Sequence, residues 1–425
     1  MHYGRKHYLI LGFFLVLGFI TRAQDTLSSG GVEAQSYSLY TQKNWDELIT
    51  FGNVALSKGF DYYYLRYRLG VAYFEKKKYR VAATQFEKAN KFNSTDETLE
   101  YLYYCYNYTS QYERARWISK SFSPEAIAYT GSDKLKAFSF ATLEAGMGET
   151  DSTVQFNNYY YEQVSAGFYI KNRFSLYSAL TNFSQTDFRG TTNQFQYYLS
   201  GKVPLKNGWT LNMGLQPIFR GYAAKTYTID SIGVLAPSKI PPHPRDSMVY
   251  RDTTVTSLGT AQTKINLVGA VSITKSIINF DFTFGSAIGA FDSTTQYEHY
   301  FGITYFPFGN SSLSISETGF LHTENHYATT HTSLLSALTL SPFKKLTLTL
   351  SYLANSGGNL IENDGYIISG TPDFMVARFS FLANLAISNT INIYGVYQHQ
   401  DNIEFHQHWP FYYNLFAIGL KYIPK

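Results

Sequence analysis

The stretch from Trp209 to Phe219 constrains the fold more than any other part of this chain. Trp209, Leu211, Met213, Leu215 and Phe219 fall on one side of an extended strand, interrupted only at Pro217. Thr210, Asn212, Gly214 and Gln216 fall on the other side, followed by Arg220. Side chains alternate with period two along a strand, so this stretch has one greasy face and one wet face. It is also long enough to cross a bilayer when tilted, which takes about 9–11 residues. Soluble strands average about 5–6 residues, and no blade-length repeat is visible, which argues against a soluble sandwich or propeller.

The pattern recurs. Ile278, Phe280, Phe282 and Phe284 alternate with Asn279, Asp281, Thr283 and Gly285. Leu346, Leu348, Leu350 and Tyr352 alternate with Thr347, Thr349, Ser351 and Leu353. Phe195, Tyr197, Leu199 and Gly201 alternate with Gln194, Gln196, Tyr198 and Ser200. Met375, Ala377, Phe379, Phe381, Ala383 and Leu385 oppose Val376, Arg378, Ser380, Leu382 and Asn384. Leu313–Leu321 is less regular, because Glu317 falls among the apolar positions. The expectation is an antiparallel transmembrane β-barrel over residues 137–425, with about 14 strands and 12 or 16 as neighbouring even counts. The 18% aromatic content against 16% charged residues suits the aromatic girdles of such a barrel. No run of about 18 apolar residues offers a helical span.

Short connections are expected at Lys171–Arg173, Pro204–Gly208, Thr274–Ser276, Pro307–Asn310, Pro342–Lys345 and Ser388–Thr390. Longer polar ones are expected at Gln185–Asn193, Tyr222–Leu258, Phe291–Thr295, Thr323–Thr329, Asn355–Pro372 and Asn402–Trp409. Short turns on one side and long loops on the other are the asymmetry of outer-membrane barrels. The longest, Tyr222–Leu258, carries Pro237, Pro241, Pro242 and Pro244, which favour stiff extended backbone. It fits a binding loop, a lid folded into the lumen, or a surface loop.

The N-terminus reads as an export signal over residues 1–23. Arg5 and Lys6 precede an apolar core from Leu9 to Ile20, and Thr21-Arg22-Ala23 offers small residues at a cleavage site. The net charge is +4, and Arg5, Lys6 and Arg22 supply three of those charges. The remaining near-neutral chain lacks the basic face that nucleic-acid binding needs. An even strand count places the upstream residues, 24–135, on the periplasmic side of an outer membrane.

Those residues are helical in pattern. Leu69, Gly70, Tyr73, Ala82, Phe86 and Ala89 stand at fixed intervals, with Lys76-Lys77-Lys78-Tyr79 as a polar turn between two helices. A flanking copy lies 34 residues earlier, with Trp45, Leu48 and Ala55 matching and Gln35, Ser36 and Gly52 departing. Another lies 33 residues later, with Leu102, Tyr106, Tyr112 and Ala115 matching, but Tyr103 at the glycine position and Ser119 at the phenylalanine position. The spacing resembles the tetratricopeptide repeat, a helix-turn-helix of about 34 residues. That resemblance implies a surface for a periplasmic protein partner; a small helical plug or spacer is the plainer alternative.

Placing apolar residues outward puts Arg220, Lys264, Asp281, Glu298 and Arg378 on the lumen face, since unpaired charges do not survive against lipid. They suit either a permeation path or paired groups that stiffen a plugged barrel. The remaining lumen faces are mostly Ser, Thr, Asn, Gln and Tyr, a wettable surface open to a polysaccharide or a small polar solute.

His322, His326, His331, His399, His406 and His408 gather near the expected outer loops, without a ligand spacing that points to a metal. Cys105, the only cysteine, sits in an aromatic helical run and reads as a buried thiol. The sequence holds no enzyme signature of the nucleophile-elbow, phosphate-loop or zinc-protease type, and no cofactor is expected.

Domain order resembles that of export proteins in which periplasmic tetratricopeptide repeats precede an outer-membrane barrel, as in exopolysaccharide secretion porins of Gram-negative bacteria. Abundant Tyr and Phe with Asn-rich loops also looks like outer-membrane proteins of Bacteroidota. The resemblance implies a pore or export component. A non-conducting assembly or anchoring protein is the alternative.

Overall fold

The computed structural model describes residues 27–134, 136–150, 158–171, 173–186, 190–236, 247–259, 262–291, 294–324, 329–355, 357, 360–369, 374–403 and 408–424. The expected export signal lies outside the described residues, as do His326 and His406.

Among the described residues seven α-helices come first: α1 (Ser29–Thr41), α2 (Trp45–Ser57), α3 (Tyr63–Glu75), α4 (Tyr79–Phe92), α5 (Asp96–Tyr108), α6 (Tyr112–Ile118) and α7 (Pro124–Thr130). Their ends follow local chemistry. The side chains of Ser28, Thr95 and Ser123 accept the N–H groups of Gly31, Thr98 and Ala126, satisfying donors that open a helix. Gly131 closes α7 at φ +65°, the left-handed conformation glycine adopts without steric cost.

Three turns within this region share one conformation. Lys43, Lys77 and Ser110 all take φ between +56° and +59°, at the 34- and 33-residue spacings seen in the sequence. Leu69, Ala82, Phe86 and Ala89 are fully buried, and Tyr73 nearly so, with its hydroxyl accepting from Asn53. A Cβ on Gly70 would stand 2.6 Å from the Phe86 ring, so the glycine is small because the phenylalanine is large. In the first helix pair, a Cβ on Gly52 would meet Leu69 at 2.7 Å. In the third pair the sizes are exchanged, with Tyr103 and Ser119 both buried.

Gly70→Ala sets a gain of helix propensity, about 1 kcal/mol, against overpacking of about 1–3 kcal/mol. The neighbour is an aromatic ring with nowhere to go, so overpacking wins. The helical region is expected to lose up to about 2 kcal/mol, read as a lower denaturant midpoint for loss of helical circular dichroism. An unchanged or higher midpoint counts against this packing.

Two arginines in α3 form ion pairs, of which Arg68 ties the first helix pair to the second and Arg66 braces the segment just before α3. Arg66 holds Asp61 at 2.6 Å, and Arg68 holds Glu33 at 2.6 Å. These charge-assisted hydrogen bonds outweigh burial and keep the Asp61 and Glu33 carboxyls below their ordinary range. A lowered folded-state value stabilises above the unfolded value and loses that contribution as pH falls through the folded one. Acid titration below pH 4.5 is therefore expected to loosen α1 from α3, and Arg68→Gln to flatten that acid limb.

The strands are β1 (Phe138–Thr150), β2 (Tyr159–Ile170), β3 (Phe174–Thr186), β4 (Gly190–Pro204), β5 (Trp209–Ala236), β6 (Ser247–Leu258), β7 (Gln262–Ile277), β8 (Phe280–Phe291), β9 (Thr294–Tyr305), β10 (Leu313–Glu324), β11 (Thr329–Phe343), β12 (Leu346–Ala354), β13 (Leu360–Glu362), β14 (Ile367–Ser369), β15 (Phe374–Ala386), β16 (Ile391–Ile403) and β17 (Pro410–Tyr422). Fourteen of them, all except β6, β13 and β14, pair antiparallel with their neighbours, and β1 pairs with β17 to close the barrel. The outward face is apolar: Met213, Leu215, Phe219, Phe284, Leu350, Tyr352, Phe416 and Ile418 are exposed there. No helix among the described residues is long and apolar enough to cross a membrane.

Several sequence expectations shift. Most of Tyr222–Leu258 is not loop. Residues Lys225–Ala236 of β5 pair with the whole of β6, making a hairpin beyond the barrel rim. The connections expected at Gln185–Asn193 and Phe291–Thr295 shrink, because β3 ends at Thr186 before β4 begins at Gly190, and β8 ends at Phe291 before β9 begins at Thr294. Outer strand ends are wetted on both faces and need no apolar residues, so polar sequence there continues as strand. The turn expected at Thr274–Ser276 lies instead at Ile278–Asn279, with Ile278 at φ +49°. In β15 a bulge between Met375 and Ala377 breaks the alternation. Met375 is buried inward and Val376 exposed, the reverse of the expected assignment, because the extra residue flips the face.

Candidate functional site: a hairpin inside the barrel

The connection from β12 to β15 does not stay outside. Its strands β13 and β14 pair as a hairpin around a turn at Asn363–Gly365. Asn363, Asp364 and Gly365 all take positive φ. Leu360, Ile361 and Glu362 are buried at 2% exposure or less. Strands of three residues cannot bury an apolar face alone. Here Ile361 packs with Ile218, Val268, Ala287 and Phe291 of the wall, and Leu360 with Phe320, Leu353 and Met375.

Polar bonds fix this plug to many strands. Ile361 donates its N–H to Glu298 of β9 at 2.9 Å. Arg378 of β15 donates to Glu362 at 2.6 Å, with both side chains buried. Tyr300 of β9 donates to Asp364. Tyr366 bonds Gln163 of β2 and accepts from Tyr177 of β3. Tyr198 of β4 donates to the Asp364 carbonyl at 3.3 Å. The plug thus reaches walls from β2 to β15. The fit is incomplete in one respect. Glu298 Oε1 and Glu362 Oε1 are buried with no hydrogen-bond partner among the described residues.

The five charged residues singled out from the sequence do not form one ring. Glu298 is fully buried and Arg378 nearly so, both against the plug. Asp281 lies at the short-turn end of β8, where the Arg80 guanidinium of the helical region binds it. Arg220 and Lys264 stand opposite each other where β5 pairs with β7, on the faces that carry Ile218 and Asn266, both of them buried. Among the histidines, His322 is not in a loop. It sits buried on β10 with Nδ1 3.3 Å from Glu298.

The helical region covers the short-turn mouth. Arg80 donates to the carbonyls of Ile278 and Phe280, stacks 4.0 Å from Phe306, and its backbone N–H reaches Gly309. Asn310 donates to the Lys77 carbonyl. On the other side, Arg116 of α6 lies 3.8 Å over Tyr169, Arg173 lies 5.0 Å over Trp117, and Ser175 donates to Glu113. The β2–β3 and β9–β10 turns are six strands apart one way round the barrel and eight the other. Contacts at both mean that the helices bridge the opening.

Between the plug turn and α6 lies a cavity of about 330 Å³. Its wall comes from β1 to β5, its roof from Asp364 and its floor from Glu113.

Sequence reasoning missed the plug. Its signal was Asn363-Asp364-Gly365 between two short apolar runs, a hairpin turn flanked by strands too short to span a bilayer.

No family model and no curated protein sequence matches the chain. Among solved structures it is similar to a Pseudomonas aeruginosa FadL homologue, at 10% identity over 72% of this chain and 94% of that one, TM-score 0.42. It is similar also to the CymD monoaromatic hydrocarbon channel, at 6% identity over 72% and 92%, TM-score 0.46. A third is the KdgM porin in complex with disordered oligogalacturonate, at 9% identity over 67% and 99%, TM-score 0.30. At scores this low, none of them bears on what this chain carries.

Proposed function

We propose that the chain is an outer-membrane barrel that serves as a gated passage for a polar solute, closed at rest by its internal hairpin. In this reading the helical region stands in the periplasm and docks a protein partner, as in an export assembly. The apolar outward face supports the membrane location. The repeated left-handed turns at Lys43, Lys77 and Ser110 support a stacked-repeat docking unit.

One observation carries the gate. The plug is held by a buried ion pair, yet two buried carboxylate oxygens, Glu298 Oε1 and Glu362 Oε1, have no partner among the described residues. Each such group costs about 1–3 kcal/mol, more when charged, and hydration of an open lumen relieves that cost. A permanent filler would be packed apolar or fully bonded. The seating of the helices across the mouth favours a second reading, a non-conducting fixture that presents those helices.

Planar-bilayer conductance separates the two. The intact chain is expected to be silent at rest, and a chain with residues 356–372 replaced by a short Gly-Ser turn to conduct. Silence of the plug-less barrel, shown folded by its unboiled gel mobility, leaves the fixture.

A further inference from the structure

The helices lie in two layers. Arg68 of α3 reaches Glu33 and Ser36 of α1, and Tyr63 of α3 bonds Thr95 and Thr98 at the start of α5. So α1, α3 and α5 run side by side. Behind them α2 and α4 pack close, Gly52 against Leu69 and Phe86 against Gly70. The contacts that seat the helices on the barrel come from α4, α6 and the turns at Lys77 and Ser110. The front layer keeps large apolar surface in water: Tyr37, Tyr64 and Tyr108 are 56%, 57% and 49% exposed.

That surface is tyrosine edged with carboxylates. Tyr64 and Tyr67 on α3, and Tyr101, Tyr104 and Tyr108 on α5, recur at the three- and four-residue spacing of one helix face. Tyr67 meets Tyr101 at 6.0 Å, and Tyr104 stacks on Tyr108 at 6.3 Å. Glu97 and Glu100 stand one turn before Tyr101 and Tyr104, and Glu75 closes the α3 stripe. The acidic partners in the ion pairs within the helical region are Asp61, Glu33, Asp46 and Glu87. None of Glu75, Glu97 and Glu100 joins an ion pair among the described residues. Lys76, next along the chain, holds Asp46 of α2 instead. Burial, then Asp96 and Glu97, raise the Glu100 carboxyl. Burial, then Tyr40 and Glu75, push the Tyr101 hydroxyl up to about 12. The charged neighbours acting on both are carboxylates, so this face carries unmatched negative charge.

The same layer shows how such a surface takes a cation. The Arg68 guanidinium lies 5.2 Å from the Tyr37 ring and 5.5 Å from the Tyr64 ring, with Glu33 at 2.6 Å. Ring faces attract a cation, and the adjacent carboxylate matches its charge. Around Tyr104 the rings and the carboxylates are present without an arginine of the chain's own.

We infer that the front face of α1, α3 and α5 docks an extended segment of a protein partner bearing Lys or Arg, its cations set over the tyrosine rings and against Glu75, Glu97 and Glu100. This rests on the docking reading above and names the chemistry of the partner. An acidic segment meets like charge here. A purely apolar one covers carboxylates without matching them, which costs free energy.

The test is fluorescence anisotropy on the folded full chain in a non-ionic detergent. The probe is a labelled peptide of repeated Arg-Gly-Ser units, with Glu-Gly-Ser and Asn-Gly-Ser repeats of equal length as controls. Saturable binding of the arginine repeat is expected, weaker at high salt. Glu97→Gln with Glu100→Gln is expected to weaken it about fivefold, the effect of two exposed ion pairs. Tyr104→Leu keeps apolar bulk but removes the ring face, and is expected to weaken it about threefold. Helical circular dichroism shows that each variant is folded. Arginine-repeat binding indifferent to both changes overturns the proposal, as does equal binding of the three peptides. Preference for the neutral or acidic repeat that is lost in Tyr104→Leu overturns this assignment and keeps the docking reading. Binding of no peptide overturns the assignment and leaves docking without support.

Discussion

Arg378→Ala is expected to open the barrel. Arg378 and Glu362 form a pair that is buried on both sides, joining the β15 wall to the plug. Removing one partner of such a pair leaves an uncompensated charge and costs about 3–5 kcal/mol. Glu362 already has one oxygen without a partner among the described residues, and truncation removes the arginine from the other. The hairpin escapes that cost by leaving the lumen, where water solvates it. By the rule that 1.4 kcal/mol is tenfold, the open-to-closed ratio rises by about two to three and a half orders of magnitude. Single-channel recording checks this as long openings absent from the parent. Replacing both partners, Arg378→Met with Glu362→Gln, removes the charge without stranding one, and closure is expected to return. A variant pair as leaky as Arg378→Ala means that the ion pair is not the latch.

The second large effect is at the other end. Arg80→Ala is expected to unseat the helical region. The Arg80 side chain is 2% exposed. It bonds the carbonyls of Ile278 and Phe280 and the carboxylate of Asp281, and stacks on Phe306. Its loss strands a half-buried Asp281 and two carbonyls, and because Asp281 is 23% exposed the cost sits at the lower end, about 3 kcal/mol, of that of a broken buried pair. Limited proteolysis between α7 and β1 is expected to speed up about a hundredfold, following the population of the undocked form. Arg80→Lys keeps the charge but not the planar fork, so it is expected to fall between. Unchanged cleavage in Arg80→Ala places the main attachment at Arg116, Tyr169 and Trp117 instead.

The parts of the fold that were legible in the sequence are those where one rule repeats. Met213, Leu215 and Phe219 are exposed on one face of β5, while Gln216 is buried on the other. Lipid outside and polar groups inside impose period two, and nothing local competes with it. Gly70 and Phe86 were legible for a similar reason, since a close helix approach demands a small residue opposite a large one.

What stayed hidden depends on single contacts. A bulge at Met375–Ala377 leaves no trace in composition, yet it turns Met375 inward. The hairpin of β13 and β14 has three residues per strand, too few for alternation to register. Asp281 carries the pattern of a lumen charge. Its actual partner, Arg80, lies 201 residues away in sequence, where spacing is silent. Glu362 read as one more polar loop residue, because burial, not residue type, sets its pairing with Arg378.

The footprint on which the helices rest is scattered along the chain. It is made by Tyr169 and Ser175, then Ile278 to Asp281, then Gly309 to Ser311. These pieces come within reach of one another only when the strands between them have curled round far enough to bring distant turns face to face. An unrolled sheet, or a circle with a strand missing, spaces them wrongly. Seating of the N-terminal helices is therefore a gauge of barrel completion: a helix bundle can form early from neighbouring residues, but it can come to rest only on a finished cylinder.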